Sequence, residues 1–287
     1  MKMRFRMVIC NILIVLILSF LMLPSPLMAQ KDTITWRVTP WPPIYILEGP
    51  YKGQGVGDEL IKFYSEQMPE YHHKTVIMNI KRFYHEAKKG SKVCNVAGFP
   101  IDGVQASLPN CIVVPHQVVI RKDKAHLLAS KQIVSLDKLL NDKRLSAGVT
   151  FGRYGKVLNQ IIDKHKGEEH IHSTANYGNI LNMLFADRFD YTIEYPPVIR
   201  YYERLEKKED IVLNVPIKEI SELQPYLIAY VIGPKNEWGN RFMAKVNRVI
   251  LDQRNTERYR ELLLRWYDEK TRRQVRGYLD IVFSSEK

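Results

Sequence analysis

Strand-forming and helix-forming segments alternate along nearly the whole chain, and that alternation restricts the fold more than any other feature. Residues 33–38 alternate apolar and polar and are rich in β formers, so they predict a strand. Pro40, Trp41, Pro42 and Pro43 then impose an ordered non-helical turn. Glycines 49, 53, 55 and 57 mark a loop, and Asp58 is placed to cap a helix over 59–67, with Leu60, Phe63 and Tyr64 facing inward. A strand over 74–79, a basic helix over 81–89 stopped by Gly90, and a buried strand over 93–97 follow.

The second half continues the pattern. Residues 112–121 read as one long β-rich stretch, and Ser135 caps a short helix carrying Leu136, Leu139 and Leu140. A strand over 145–150 turns through Gly152, Arg153, Tyr154 and Gly155 into a helix with Val157, Leu158, Ile161 and Ile162. A strand over 170–173, a helix over 177–186, a strand over 189–193 and a helix opened by Pro196 and Pro197 come next. Residues 226–232 form a last β-rich run, and helices over 242–253 and 257–269 end the chain. This order predicts an α/β protein with mainly parallel sheets.

The first residues address the chain. Lys2, Arg4 and Arg6 precede an uncharged apolar run to Leu23, then two prolines and Ala29. That layout predicts a secretory signal peptide over 1–29, cut near Ala29, and a periplasmic protein; a retained membrane anchor is the alternative. Loss of the three basic residues lowers the formal charge from +12 to +9. The surplus favours anionic partners, but export and the lack of a nucleic-acid motif argue against nucleic acid. Cys10 leaves with the leader. Cys94 and Cys111 remain in an oxidising compartment, where a disulfide is expected, closing a loop worth about 3 kcal/mol.

Four stretches in order resemble the bacterial extracellular solute-binding proteins of family 3, the polar amino-acid type: TPWPPIYILEGPYKGQGVGDELIKF, VSLDKLLNDKRLSAGVTFGRYGKVL, MLFADRFDYTIEYPP and PYLIAYVIGPKNEWGNRFMAKVNRVI. The resemblance implies a two-lobed α/β fold, each lobe a mostly parallel sheet flanked by helices. It implies a first lobe from residues 30–120 and 225–287 and a second from 121–224, with crossovers near 119–121 and 229–231. The expected ligand is a small polar solute held between the lobes, an amino acid or derivative. The expected partner is an inner-membrane permease of the ABC type or a periplasmic receptor domain, with the chain itself a monomer.

The candidate ligand contacts follow from both readings. Trp41 lies in a turn after the first strand, where its face can cover an apolar or cationic group, and Tyr45 follows it. Gly152, Arg153 and Tyr154 form a strand-to-helix turn suited to an anion. By resemblance, Glu194 takes the position of the acidic residue that receives an ammonium, with Tyr195 beside it. Family members that bind α-amino acids carry an arginine after a Gly-x-x-x-Thr segment. The matching stretch here runs from Gly98 to Gln105, with Asp102 for the threonine and Gln105 for the arginine. Glutamine does not reproduce a bidentate guanidinium, which puts a standard amino acid in doubt.

Three functions compete: solute capture for uptake, a periplasmic sensor of the same fold, and an exported dehydratase-like enzyme. Catalysis needs a positioned acid or base, and Glu194 is the one obvious carboxylate, so no enzyme is expected. Nucleophile-elbow and phosphate-loop motifs are missing. His72, His73, His170 and His172 lack the further ligands of a metal site, and neither a metal nor a cofactor is expected.

Overall fold

The computed structural model describes residues 31–174 and 177–284. The leader, Cys10 and the cut near Ala29 lie outside the described residues. β1 (Thr33–Val38) turns Ile34, Trp36 and Val38 into the core and ends at the proline turn. It leads to α1 (Val56–Gln67), β2 (His72–Ile77), α2 (Ile80–Lys88), β3 (Val93–Gly98) and β4 (Val104–Val113). The cap of α1 is Gly55, three residues before Asp58. A Cβ at Gly55 would collide with the Ile44 carbonyl, so glycine allows the close approach. Asp58 works from inside the first turn, accepting from the Gly55 amide at 3.1 Å and the Ile46 amide at 2.8 Å.

The chain then crosses to a second sheet. β5 (Gln117–Arg121) is followed by α3 (Leu136–Asn141), β6 (Ala147–Val149), α4 (Lys156–Ile162), β7 (Ile171–Ser173), α5 (Tyr177–Phe185), β8 (Tyr191–Glu194), α6 (Pro196–Leu205), β9 (Val212–Pro216) and α7 (Lys218–Ser221). It returns as β10 (Leu227–Pro234), α8 (Glu237–Gln253), α9 (Glu257–Leu264) and α10 (Glu269–Ser284). The run over 112–121 is two strands, because Pro115 has no N–H for a ladder and breaks it. The crossovers therefore fall at residues 114–116 and 222–226. The expected positions, 119–121 and 229–231, lie inside β5 and β10.

The two five-stranded sheets share one plan, with orders β2-β1-β3-β10-β4 and β7-β6-β8-β5-β9. In each, one strand runs against the other four: β10 in the first and β5 in the second. Each of these is the strand that has just crossed from the other lobe. Apolar clusters cover both faces of each sheet. Trp36, Phe63, Phe242 and Tyr259 anchor one face of the first sheet, and Phe83 and Ile232 the other. Leu140, Leu158 and Tyr191 lie on one face of the second sheet, and Leu184 and Phe189 on the other. Burial of this kind contributes about 25 cal/mol per Å² of apolar surface.

The expected disulfide is not formed: Cys94 and Cys111 are both free and buried. Cys94 lies in β3 and Cys111 in β4, and β10 runs between those strands. Two strand spacings are about 9–10 Å, beyond the reach of roughly 7 Å between bridged Cα atoms. Burial pushes the Cys111 thiol up to about 12 and raises that of Cys94 further, so both stay protonated. The helix expected over 257–269 is α9, ending at Leu264, and α10 is a further helix. Asp268 caps α10 by accepting from the Thr271 amide at 2.9 Å, and Val275, Leu279, Val282 and Phe283 pack into the core.

Candidate functional site

The carboxyl ends of the parallel strands in the two sheets supply the candidate site. β6 and β8 are neighbours in the second sheet, so the turn after β6 and the end of β8 come together. Arg153 from that turn meets Glu194, the last residue of β8. The guanidinium grips the carboxylate with both arms, at 2.6 Å and 2.8 Å. The Glu194 side chain is 3% exposed and that of Arg153 16%. One Glu194 oxygen also accepts from the Tyr195 amide at 2.8 Å. Burial raises the Glu194 pKa, and the hydrogen bond and charge of Arg153 pull it back down. Sequence reading selected Arg153 and Glu194 as separate ligand contacts, one for an anion and one for an ammonium. Folded, they are each other's partner.

His116, in the first crossover, completes the cluster and was not singled out by sequence. Its ring lies 3.6 Å from that of Tyr195 and 5.3 Å from that of Tyr154. It is buried, and its Nε2 has no hydrogen-bond partner among the described residues. Burial, helped by the charge of Arg153, lowers its pKa to about 3, so the ring is neutral near pH 7. The available signal was positional: a histidine directly after the proline that splits two β-rich runs.

Trp41 approaches from the first lobe. Its ring lies 6.2 Å from Tyr195, edge to face, and it keeps 36% exposure. The structure therefore brings Trp41, Arg153, Tyr154, Glu194 and Tyr195 to one junction around His116. Burial pushes the Tyr154 and Tyr195 hydroxyls up to about 12, so both remain protonated. Tyr154 is turned inward, its hydroxyl accepting from the Thr150 amide at 2.8 Å. The Tyr154 amide, expected to serve an anion, donates to Asn159 Oδ1 at 3.0 Å. Gly152 and Gly155 hold left-handed φ values of 77° and 80°, which glycine adopts without strain.

Three expected contacts lie elsewhere. Tyr45 is in the core of the first lobe, its hydroxyl donating to Asn95 Oδ1 at 3.1 Å. Gly98 closes β3 and makes room for the Ile232 side chain, which a Cβ there would strike. Gln105 pairs with Gly233 near the start of β4. Pro109 and Gly98 both pair with Tyr230, so Gln105 is four residues further down the sheet, roughly 13 Å from the cleft end. After Gly98 the chain descends beside α2, where the Tyr84 hydroxyl donates to the Phe99 carbonyl and Gly103 lies against Lys88. Two of the histidines considered for metal have structural roles. His73 accepts from Trp36 Nε1 at 3.0 Å, and His170 lies 2.9 Å from the Leu140 carbonyl.

A second contact joins the lobes. Ile46 and Trp266 of the first lobe bury against Tyr201 of α6, with Tyr51, Tyr202 and Leu205 around them. Tyr51, Tyr201 and Trp266 meet edge to face at 5.3–6.1 Å. Tyr195 caps α6 and Tyr201 lies on it, so one helix touches both interlobe contacts.

The state of His116 has a pH consequence. Its folded pKa lies below the unfolded value of about 6.5, so the unfolded chain takes up a proton first as pH falls. Stability present above pH 6.5 drains away toward pH 3. Glu194, with a raised pKa, works in the opposite direction and offsets part of the loss. Between pH 7.5 and 4.5, thermal melts of the wild type should lose about 2 kcal/mol more than those of His116→Gln. Equal losses would show that His116 is not held neutral.

No family model and no curated protein matches the chain. Solved structures do. An ancestral cationic amino acid solute-binding protein aligns with a TM-score of 0.62 at 16% identity, over 83% of this chain and 96% of its own. A probable amino-acid ABC transporter extracellular-binding protein from Bacillus subtilis aligns with a TM-score of 0.56 at 16% identity, over 83% and 99%. A histidine kinase sensor domain with similarity to periplasmic binding proteins aligns with a TM-score of 0.54 at 14% identity, over 83% and 96%. At these identities the likeness speaks for the fold, and the chain shares its two-lobed α/β architecture with bacterial amino-acid-binding periplasmic proteins.

Proposed function

We propose that this protein is exported to the periplasm, captures a small polar solute between its lobes, and hands it to an inner-membrane permease of the ABC type. The observation that carries the reading is the His116 Nε2, buried without a partner among the described residues, beside the Arg153–Glu194 pair where the lobes meet. A buried polar atom of this kind is normally satisfied. The ion pair is neutral as a unit, so it suits a solute bearing both a carboxylate and an ammonium, an amino acid or derivative. The carboxylate would face Arg153 and His116 and the ammonium Glu194, with Trp41 and Tyr195 covering the remainder. Because the solute touches both lobes, its binding energy favours the closed arrangement.

Catalysis is a weaker reading. One Glu194 oxygen accepts from the Tyr195 amide and both are gripped by Arg153, so the carboxylate is poorly placed to move a proton. A sensor role uses the same capture with a receptor domain as partner. The apolar contact of α6 with Trp266 favours it as a second reading, since the same helix begins at Tyr195 beside the candidate site.

A thermal-shift screen of amino acids, polyamines, small organic acids and short peptides tests capture. A true ligand at a hundred times its Kd should add about 2.7 kcal/mol of stability. The gain should vanish in Trp41→Ala and in Glu194→Leu, each compared with its own ligand-free melt. A ligand whose gain survives both substitutions would bind elsewhere and overturn the proposed site.

A further inference from the structure

A second groove, of about 440 Å³, lies between the end of α6 on one lobe and α1, α9 and α10 on the other. Lys62, Arg204, Arg258, Arg265 and Arg272 line it. Only two carboxylates, Glu59 and Glu261, share the lining. Three of the arginines are engaged. Arg258 pairs with Glu66, Arg272 with Glu261, and Arg265 with Glu59 at 3.4 Å and the Gln54 side chain at 2.6 Å.

Arg204 differs. Its guanidinium lies 5.0 Å over the Trp266 ring and has no hydrogen-bond or ion-pair partner among the described residues. Stacking uses the face of a guanidinium and leaves its N–H edge for an acceptor in the plane. Burial, then the charges of Arg200 and Arg265, lower its pKa, and the nearby Glu209 carboxylate and Tyr51 only partly oppose them. A partly buried cation crowded by other cations is relieved by an anion.

We infer that this groove binds a compact oxyanion carrying two or more negative charges, of the phosphate type, with Arg204 as its principal contact. Planar guanidinium edges match tetrahedral phosphate oxygens, and with three of the arginines paired, Lys62 and Arg204 leave two positive charges in the lining without an ion pair among the described residues, which favours an anion of more than one negative charge. The anion would bridge the lobes, since Arg204 rides on α6 and the other cations belong to the opposite lobe. α6 is capped by Tyr195, so the bound anion also steadies the helix that borders the solute cleft. The inference rests on the groove alone and stands whether or not the cleft takes a solute. Free phosphates and phospholipid headgroups share this chemistry.

The test uses the mature chain at constant ionic strength. Pyrophosphate is titrated calorimetrically, and sedimentation compares vesicles of phosphatidylglycerol with vesicles of phosphatidylcholine. Binding should be saturable and fall about tenfold in Arg204→Gln and a few-fold in Lys62→Gln. It should be unchanged in Arg144→Gln, whose side chain pairs with Asp142 in the turn between α3 and β6, outside the groove lining. Pyrophosphate binding with these losses identifies a free anion. Phosphatidylglycerol-specific sedimentation with the same losses and no pyrophosphate binding identifies a headgroup. No binding of either probe, or binding that Arg204→Gln and Arg144→Gln weaken equally, overturns the inference.

Discussion

Glu194→Leu is expected to lower stability by about 3 kcal/mol and to abolish solute capture. The substitution leaves the Arg153 guanidinium without its carboxylate in a site where the side chain is 16% exposed. Breaking a buried pair from one side costs about 3–5 kcal/mol, and the residual exposure of Arg153 places this case at the low end. The double variant Arg153→Met/Glu194→Leu removes both charges and should recover to within about 1 kcal/mol of the wild type. It should still fail to bind. Denaturant melts of the two variants, paired with the solute screen, separate a group needed for folding from a group needed for capture. A double variant as unstable as the single one would mean that the pair contributes more than it costs.

Trp266→Ala should have an effect of similar size for a different reason. Trp266 is buried where Ile46, Tyr51 and Tyr201 converge, and its Nε1 donates to the Gln54 carbonyl at 2.9 Å. Large aromatic truncations of this kind cost about 3–5 kcal/mol. The cavity opens at the lobe junction, so the lobes should also separate. Small-angle scattering should give a larger radius of gyration for the variant than for the wild type. Tyr201→Ala, from the opposite side of the same contact, should move it the same way. An unchanged radius in both would show that this contact does not hold the lobes.

Much of the architecture was legible because periodicity is local. β1 and α6 follow the expected ranges, since apolar alternation and a proline pair at a helix start act over a few residues. What could not be read depended on which strands become neighbours. The disulfide between Cys94 and Cys111 failed because β10, from more than a hundred residues later, inserts between β3 and β4. Gln105 was misplaced because the chain turns back after Gly98 and starts β4 at the far end of the sheet. β9 was missed within a short run between polar segments, and α10 because arginines mask its widely spaced apolar stripe. Arg153 and Glu194 were each visible. Their pairing was not, because it exists only when β6 lies beside β8. His116 carries no motif at all; its significance arises from burial beside Tyr195 and from an unpaired nitrogen.

Capture as proposed requires the two lobes to hinge on a solute held at the His116–Arg153–Glu194 junction. The most direct test is a pulsed electron-resonance distance between spin labels at Ile77→Cys and Val157→Cys, exposed positions on opposite lobes. Cys94 and Cys111 are buried with raised pKa values and will not take label in the native protein. The solute identified by thermal shift should narrow the distance distribution and move it to shorter separation, and Glu194→Leu should remove that response. A solute that binds with full stabilisation and leaves the distribution unchanged would mean that the lobes do not close on it.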